Sequence, residues 1–184
     1  MQQQEQDESF GLGVRHLTVR LSDPNGKWRD AYLLEENRIR NALGPLALDI
    51  QHFGSTAIPG IKAKPIIDIL VGIPRLEDGI ACIGPMETIG YDYAGVDIVP
   101  DDHLFGRGIV GETRTHLAHV VEYQGFNWRR NLFFRDRLQN DPALALAYEE
   151  LKIDLAQKFA ESRAAYTGAK KDFIDKVLAE ADLA

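Results

Sequence analysis

The 184-residue chain is poor in cysteine, and Cys82 stands alone. One thiol closes no internal disulfide and no metal centre can be built from cysteines, so Cys82 is read as a small buried apolar residue. Nothing approaches the roughly 20 consecutive apolar residues of a membrane-spanning helix. Residues 1–9, rich in Gln and Glu, lack the apolar stretch of a secretory signal. These features fit a soluble protein of a reducing cytoplasm. Basic residues are also short, 21 Lys and Arg against 28 Asp and Glu, for a net charge of −7. That balance speaks against broad nucleic-acid binding, which needs a basic face. It leaves room for a small basic pocket. Repeats, long linkers and low-complexity stretches are missing after residue 10. Residues 1–10 are expected to be a disordered lead that carries Glu5, Asp7 and Glu8 outside the fold, and 11–184 one domain.

What is present is hydrophobic patterning. Trp28, Ala31, Tyr32, Glu35, Ile39 and Leu43 recur at helical spacing, and Gly44-Pro45 ends that helix. Leu46 to His52 alternates like a strand. Pro65 to Ile73 is nearly all apolar, as expected of a central strand buried on both faces. A helix over Leu76–Ile89, short strands over Tyr91–Val110 and a strand over His116–Tyr123 follow. Three helices close the chain, over Trp128–Gln139, Pro142–Arg163 and Thr167–Ala181, the second with Asp141 as its N-cap. This order predicts an α+β fold: a mixed β-sheet flanked by helices, with a helical C-terminal third.

Gly54-Ser55-Thr56 directly follows a strand. Glycine permits a tight turn and close approach of a ligand, and hydroxyls beside exposed backbone N–H groups suit phosphate oxygens. An ordinary Gly-Ser turn reads the same way. Asp68 lies within Ile66-Ile67-Asp68-Ile69-Leu70-Val71. A carboxylate in a buried strand needs a partner, either a cation such as Lys62, Lys64 or an arginine, or a metal or substrate at the sheet face. His116 and His119, three apart on a strand, point to opposite faces, so one of them can share the face of Asp68. Imidazole there serves as a metal ligand or general base. His52 reads as support for the turn. Arg135 and Lys170 fall on the apolar sides of their helices; their heads either reach a cavity holding phosphate or, respectively, pair with a carboxylate and extend to solvent.

The run from His52 to Val71, His-Phe-Gly-Ser-Thr-Ala-Ile-Pro-Gly-Ile-Lys-Ala-Lys-Pro-Ile-Ile-Asp-Ile-Leu-Val, resembles the signature of the GrpB (UPF0157) family. Arg114–Glu122, Trp128–Asp136, Tyr148–Leu155 and Tyr166–Ile174 extend the resemblance over nearly the whole chain from residue 15. It implies a nucleotidyltransferase-like fold. It also implies a nucleotide or other phosphate-bearing ligand gripped by Gly54, Ser55 and Thr56, whose charge Arg135 and Lys170, placed by helical spacing, would neutralise. Mg²⁺ would be the cofactor, with Asp68, His119 and His116 as metal ligands and Asp68 and His119 as catalytic residues. The implied reaction is transfer of a nucleotidyl group to an acceptor. Two positions depart from the pattern: Leu70 stands where a second carboxylate would share the face of Asp68, and Leu117 where the family's middle histidine falls. A non-catalytic accessory role is the alternative, since GrpB-like domains also occur fused to dephospho-CoA kinase. This chain lacks the kinase's own G-x-x-x-x-G-K-[ST] loop. A metal hydrolase built on His116, His119 and Asp68 is a third reading. Oligomeric state is left open.

Overall fold

The computed structural model describes residues 2–15, 17–109 and 111–181. Met1, His16, Val110 and residues 182–184, parts of the expected lead, strands and domain, lie outside the described residues.

A five-stranded sheet forms the centre, in the order β2 (Asp49–Phe53), β3 (Ile67–Ile73), β7 (His116–Glu122), β5 (Asp102–Arg107), β4 (Tyr91–Val99). β3 and β7 run parallel and the other neighbours antiparallel, so the sheet is mixed, as expected. A short pair, β1 (Val14–Arg15) and β6 (Thr113–Arg114), stands apart. β3 is flanked on both sides, and all of its residues except Asp68 are buried. Its apolar composition follows from that position, because a strand covered on both faces has no polar side to offer.

One face packs against α2 (Lys27–Leu43) and α3 (Ile83–Thr88). The six residues picked out by helical spacing are the buried residues of α2. Ile39 and Trp28 join Ile67, Ile69, Val71 and Ala118 in the largest apolar core, which also holds Cys82. The expected helix from Leu76 begins instead as a 3-10 segment, Leu76–Cys82, before α3.

The other face is covered unevenly. α4 (Phe126–Asn140) lies over one end, where Trp128 packs on Leu70 and Val121. α5 (Pro142–Lys158) and α7 (Lys171–Leu178) stack on α4 through Leu138, Ala145, Tyr148 and Val177. Asp141 caps α5 as expected, accepting from Leu144 N at 3.0 Å. α5 stops at Lys158 rather than continuing to Arg163. Ser162 then caps the short α6 (Arg163–Gly168), accepting from Ala165 N, and the last helix begins at Lys171 rather than Thr167. Two backbone bonds stitch this corner to the N-terminal segment, Val19 N to Ala160 O at 2.8 Å and Arg163 N to Leu17 O at 3.0 Å.

The disordered lead is corrected for residues 2–9, which form α1 (Gln2–Ser9). The reason is Asp7, which is buried and bonded at 2.9 Å to the guanidinium of Arg107. Arg107 also lies 3.3 Å from the buried carboxylate of Glu35, so α1 completes a charge cluster beneath the sheet.

Candidate functional site

β2 ends at Phe53, paired with Asp68 on β3. The chain then turns at Gly54, whose φ of 69° and ψ of −172° suit glycine. A Cβ at Gly54 would stand 2.3 Å from Asp68 Oδ2. Turn and carboxylate are therefore in direct contact, and two independent constraints require glycine. Ser55 follows in a 3-10 turn, and its hydroxyl has no protein partner among the described residues. Thr56 is corrected as a phosphate ligand. Its side chain is buried, donates to Ile66 O at 3.3 Å and accepts from His52 Nε2 at 3.0 Å. His52 thus supports the turn. Burial, then Arg135 and Arg29, lowers its pKa to about 3, so it does this as neutral imidazole.

Beside this turn opens a cavity of about 680 Å³. Its walls include Gly54, Ser55, Asp68, His119, Lys170 and Thr167, together with Lys64, Arg114, Arg163 and Tyr166. Asp68 makes neither a hydrogen bond nor an ion pair among the described residues. Its charge is felt instead by Lys64, Arg163 and His119. Lys64 and Lys170 place their ammonium groups 5.3 Å and 4.7 Å from the ring centre of Tyr166, both within cation–π range. Burial, then the like charges of Arg163 and Lys170, pushes Lys64 down to about 7. Lys152, close behind, is also lowered to about 7 by burial and by Lys170, and donates to Lys62 O. Arg114 forms a two-pronged pair with Asp92 and lies against Gly106, where a Cβ would come within 2.7 Å of its Cζ.

His119 and His116 point to opposite faces, and His119 is the one in the cavity. Its Nδ1 lies 2.6 Å from Asp102 Oδ2, so Nε2 is the ring nitrogen left for a ligand. Burial disfavours its charge, but Asp102 and then Asp68 outweigh that, and the pKa is raised. His116 is corrected as a metal ligand. It is buried on the α2 face, its Nδ1 2.7 Å from Arg107 Nη2, and burial together with that arginine holds its pKa well below the usual value. Arg135 is corrected too. It braces the edge of β2, donating to His52 O at 2.9 Å and Gln51 Oε1 at 3.0 Å, and does not line the cavity.

A resident divalent ion does not fit this donor set. Mg²⁺ demands several oxygen ligands in near-octahedral array. Among the described residues no group of three or more His, Cys, Asp and Glu side chains could hold an ion. The position for a second carboxylate, Leu70, is fully buried under Trp128. The metal-hydrolase triad of His116, His119 and Asp68 is likewise never assembled.

The residues that sequence reasoning missed are Arg163 and Asp102, and it took Lys64 only as one of several partners for Asp68. Arg163 sat at the end of an expected long helix, and the signal that could have found it is Ser162, a good N-cap one residue before. Asp102 follows another aspartate at a hairpin, where carboxylates are ordinary.

The molecule is thus an α+β protein with a mixed sheet, a glycine turn against a strand carboxylate, and a cation-lined cavity on one sheet face. The GrpB protein family matches residues 18–180, and the chain belongs to that family. It is 38% identical to the glutamate-rich protein GrpB of Alkalihalophilus pseudofirmus over 172 residues, 92% of this chain and 99% of that one. A UPF0157 protein of Pseudomonas aeruginosa is 37% identical, over 90% of this chain and 67% of its own length. The crystal structure of the conserved protein GrpB from Enterococcus faecalis superposes with a TM-score of 0.80 at 31% identity, covering 88% of this chain and 96% of that one. A dephospho-CoA kinase of Mycolicibacterium paratuberculosis is 36% identical over 81 residues, 42% of this chain and 20% of that one. No helix among the described residues is long and apolar enough to cross a membrane.

Proposed function

We propose that the cavity binds a nucleotide or other phosphate-bearing small molecule. The observation that carries this is the gathering of Lys64, Arg163 and Lys170 around one cavity, none in an ion pair among the described residues, in a chain of net charge −7. Holding like charges together in a partly desolvated space is costly unless an anion joins them. Gly54 and Ser55 line the same cavity, and backbone N–H and hydroxyl groups suit phosphate oxygens. If a nucleotidyl group is transferred to an acceptor, His119 is the general base. Asp102 holds its Nδ1, and Nε2 accepts the acceptor's proton. Asp68 stands beside the phosphate position and orients the acceptor.

Calorimetric titration with ATP, dephospho-CoA and inorganic pyrophosphate, each with Mg²⁺ and with EDTA, tests this. Binding by the wild type that drops at least tenfold in Arg163→Ala supports it. No binding by the wild type, or binding by Arg163→Ala equal to that of the wild type, overturns it.

A second reading is a non-catalytic accessory module near coenzyme A synthesis. The partial similarity to a dephospho-CoA kinase and the burial of Leu70 favour it. A coenzyme A gene next to the gene for this chain, with dephospho-CoA bound and left chemically unchanged, is the expected outcome.

A further inference from the structure

The cavity has two unlike halves. Lys64 and Lys170 stand 5.3 Å and 4.7 Å from the same Tyr166 ring, and Arg163 lines the cavity with them. The other side is apolar and follows the strand register. Leu117 stands between Asp68 and Gly106 on neighbouring strands, and Leu104 beside His119. Ile98 continues this wall on β4, within the irregular stretch between Gly95 and Val99, and is 59% exposed. Leu104, Leu117 and Ile98 offer no side-chain hydrogen bond, and the backbone of β5 and β7 is committed to the sheet ladder.

We propose that the ligand is amphipathic, a phosphate ester whose other part is an aromatic or hydrocarbon body. The phosphate sits among Lys64, Arg163 and Lys170, and the body lies on Leu117, Leu104 and Ile98. This rests on the phosphate reading above and narrows it. A sugar or nucleobase laid on that wall would give up water and meet only His119 and Arg114 at its margins, too few partners for its polar edges. An apolar body loses nothing there and buries surface. The cavity volume, about 680 Å³, lies within the usual range for ligands of this size. The exposed Ile98 at the rim is covered when the body enters.

Titration of the whole protein with inorganic phosphate, AMP and 1-naphthyl phosphate separates the possibilities. The expected result is naphthyl phosphate bound at least tenfold more tightly than phosphate and more tightly than AMP. Leu104→Asn should remove most of that gain and leave phosphate binding unchanged. Leu117→Asn should do the same and guards against one variant failing to fold, which thermal melts will show. Lys170→Ala should weaken both esters and phosphate alike. Naphthyl phosphate within twofold of phosphate, AMP as the tighter ester, or a gain that survives both asparagine variants overturns the amphipathic ligand while the phosphate reading stands. If no anion binds at all, the phosphate reading itself fails.

Discussion

The two faces of the central sheet handle charge in opposite ways. Beneath α2, Asp7, Glu35 and Arg107 are all buried and close on one another at 2.9 and 3.3 Å, and Arg38 also pairs with Glu35 at 2.9 Å. Above the sheet, Asp68, Lys64, Arg163 and Lys170 share a cavity and stay out of ion-pair contact among the described residues. Both faces hold a histidine from β7. His116 below is kept neutral beside Arg107, whereas His119 above is favoured in its charged form by Asp102. Charges that close on each other maintain the fold. Charges held apart around a cavity await something else, while the paired His119 and Arg114 on the same side are held in place by Asp102 and Asp92.

The sharpest way to break the contrast is to remove the hub of the lower face. Arg107→Ala leaves two buried carboxylates without their shared cation and should cost about 3–5 kcal/mol, read by urea denaturation. A loss under about 1 kcal/mol, within the range of a surface pair, would show that the lower cluster is not structural. Leu70→Asp restores the missing carboxylate but buries it under Trp128, and should cost about 3 kcal/mol. Mg²⁺ should not raise its melting temperature; a clear rise would show that a metal site can form there. Gly54→Ala drives a Cβ into Asp68 and should cost about 1–3 kcal/mol, with weaker ligand binding.

Acid should probe both faces at once. His52 and His116 have folded pKa values below the ordinary 6.5, so the unfolded chain takes up more protons as pH falls. Their contribution is complete above about pH 6.5 and is lost as pH falls through each folded pKa, which for His52 is about 3, at up to about 1.4 kcal/mol per pH unit for each. His119 has the opposite sign: its contribution is present below about pH 6.5 and lost as pH rises through its raised pKa. Denaturation from pH 4 to 8 should therefore steepen on the acid side, and Asp102→Asn should remove only the alkaline loss. The smallest effect belongs to the open charges. Lys170→Ala should change stability by less than about 0.5 kcal/mol, because relief of repulsion offsets the lost contact with Tyr166. A large destabilisation would make Lys170 structural.

Much of this was legible in the residues. An apolar run interrupted by one aspartate located β3 and Asp68, and the period of two put the histidines of β7 on opposite faces. The six-residue stripe of α2 gave its buried side, including Glu35, whose partner Arg107 lies 72 residues on and could not be inferred. Arg135 was rightly placed on the inner side of its helix, but periodicity does not say what that side meets, and it meets the edge of β2. Leu70 shares the face of Asp68 as spacing requires. Only the docking of Trp128 decides that this part of the face is closed. Arg163 and Lys170 depend on a chain break after Lys158 that a continuing apolar stripe concealed.

The stitching of residues 17–19 to residues 160–163 has a consequence for the order in which the molecule is made. The turn and Asp68 leave the ribosome long before Arg163 and Lys170. Until those arrive and dock, the growing chain has the turn and Asp68 with only Lys64 of the three cations, too little positive charge to gather the anions that the finished protein is proposed to hold. Ligand capture would then double as a report that synthesis has passed residue 170 and that the two ends of the fold have met.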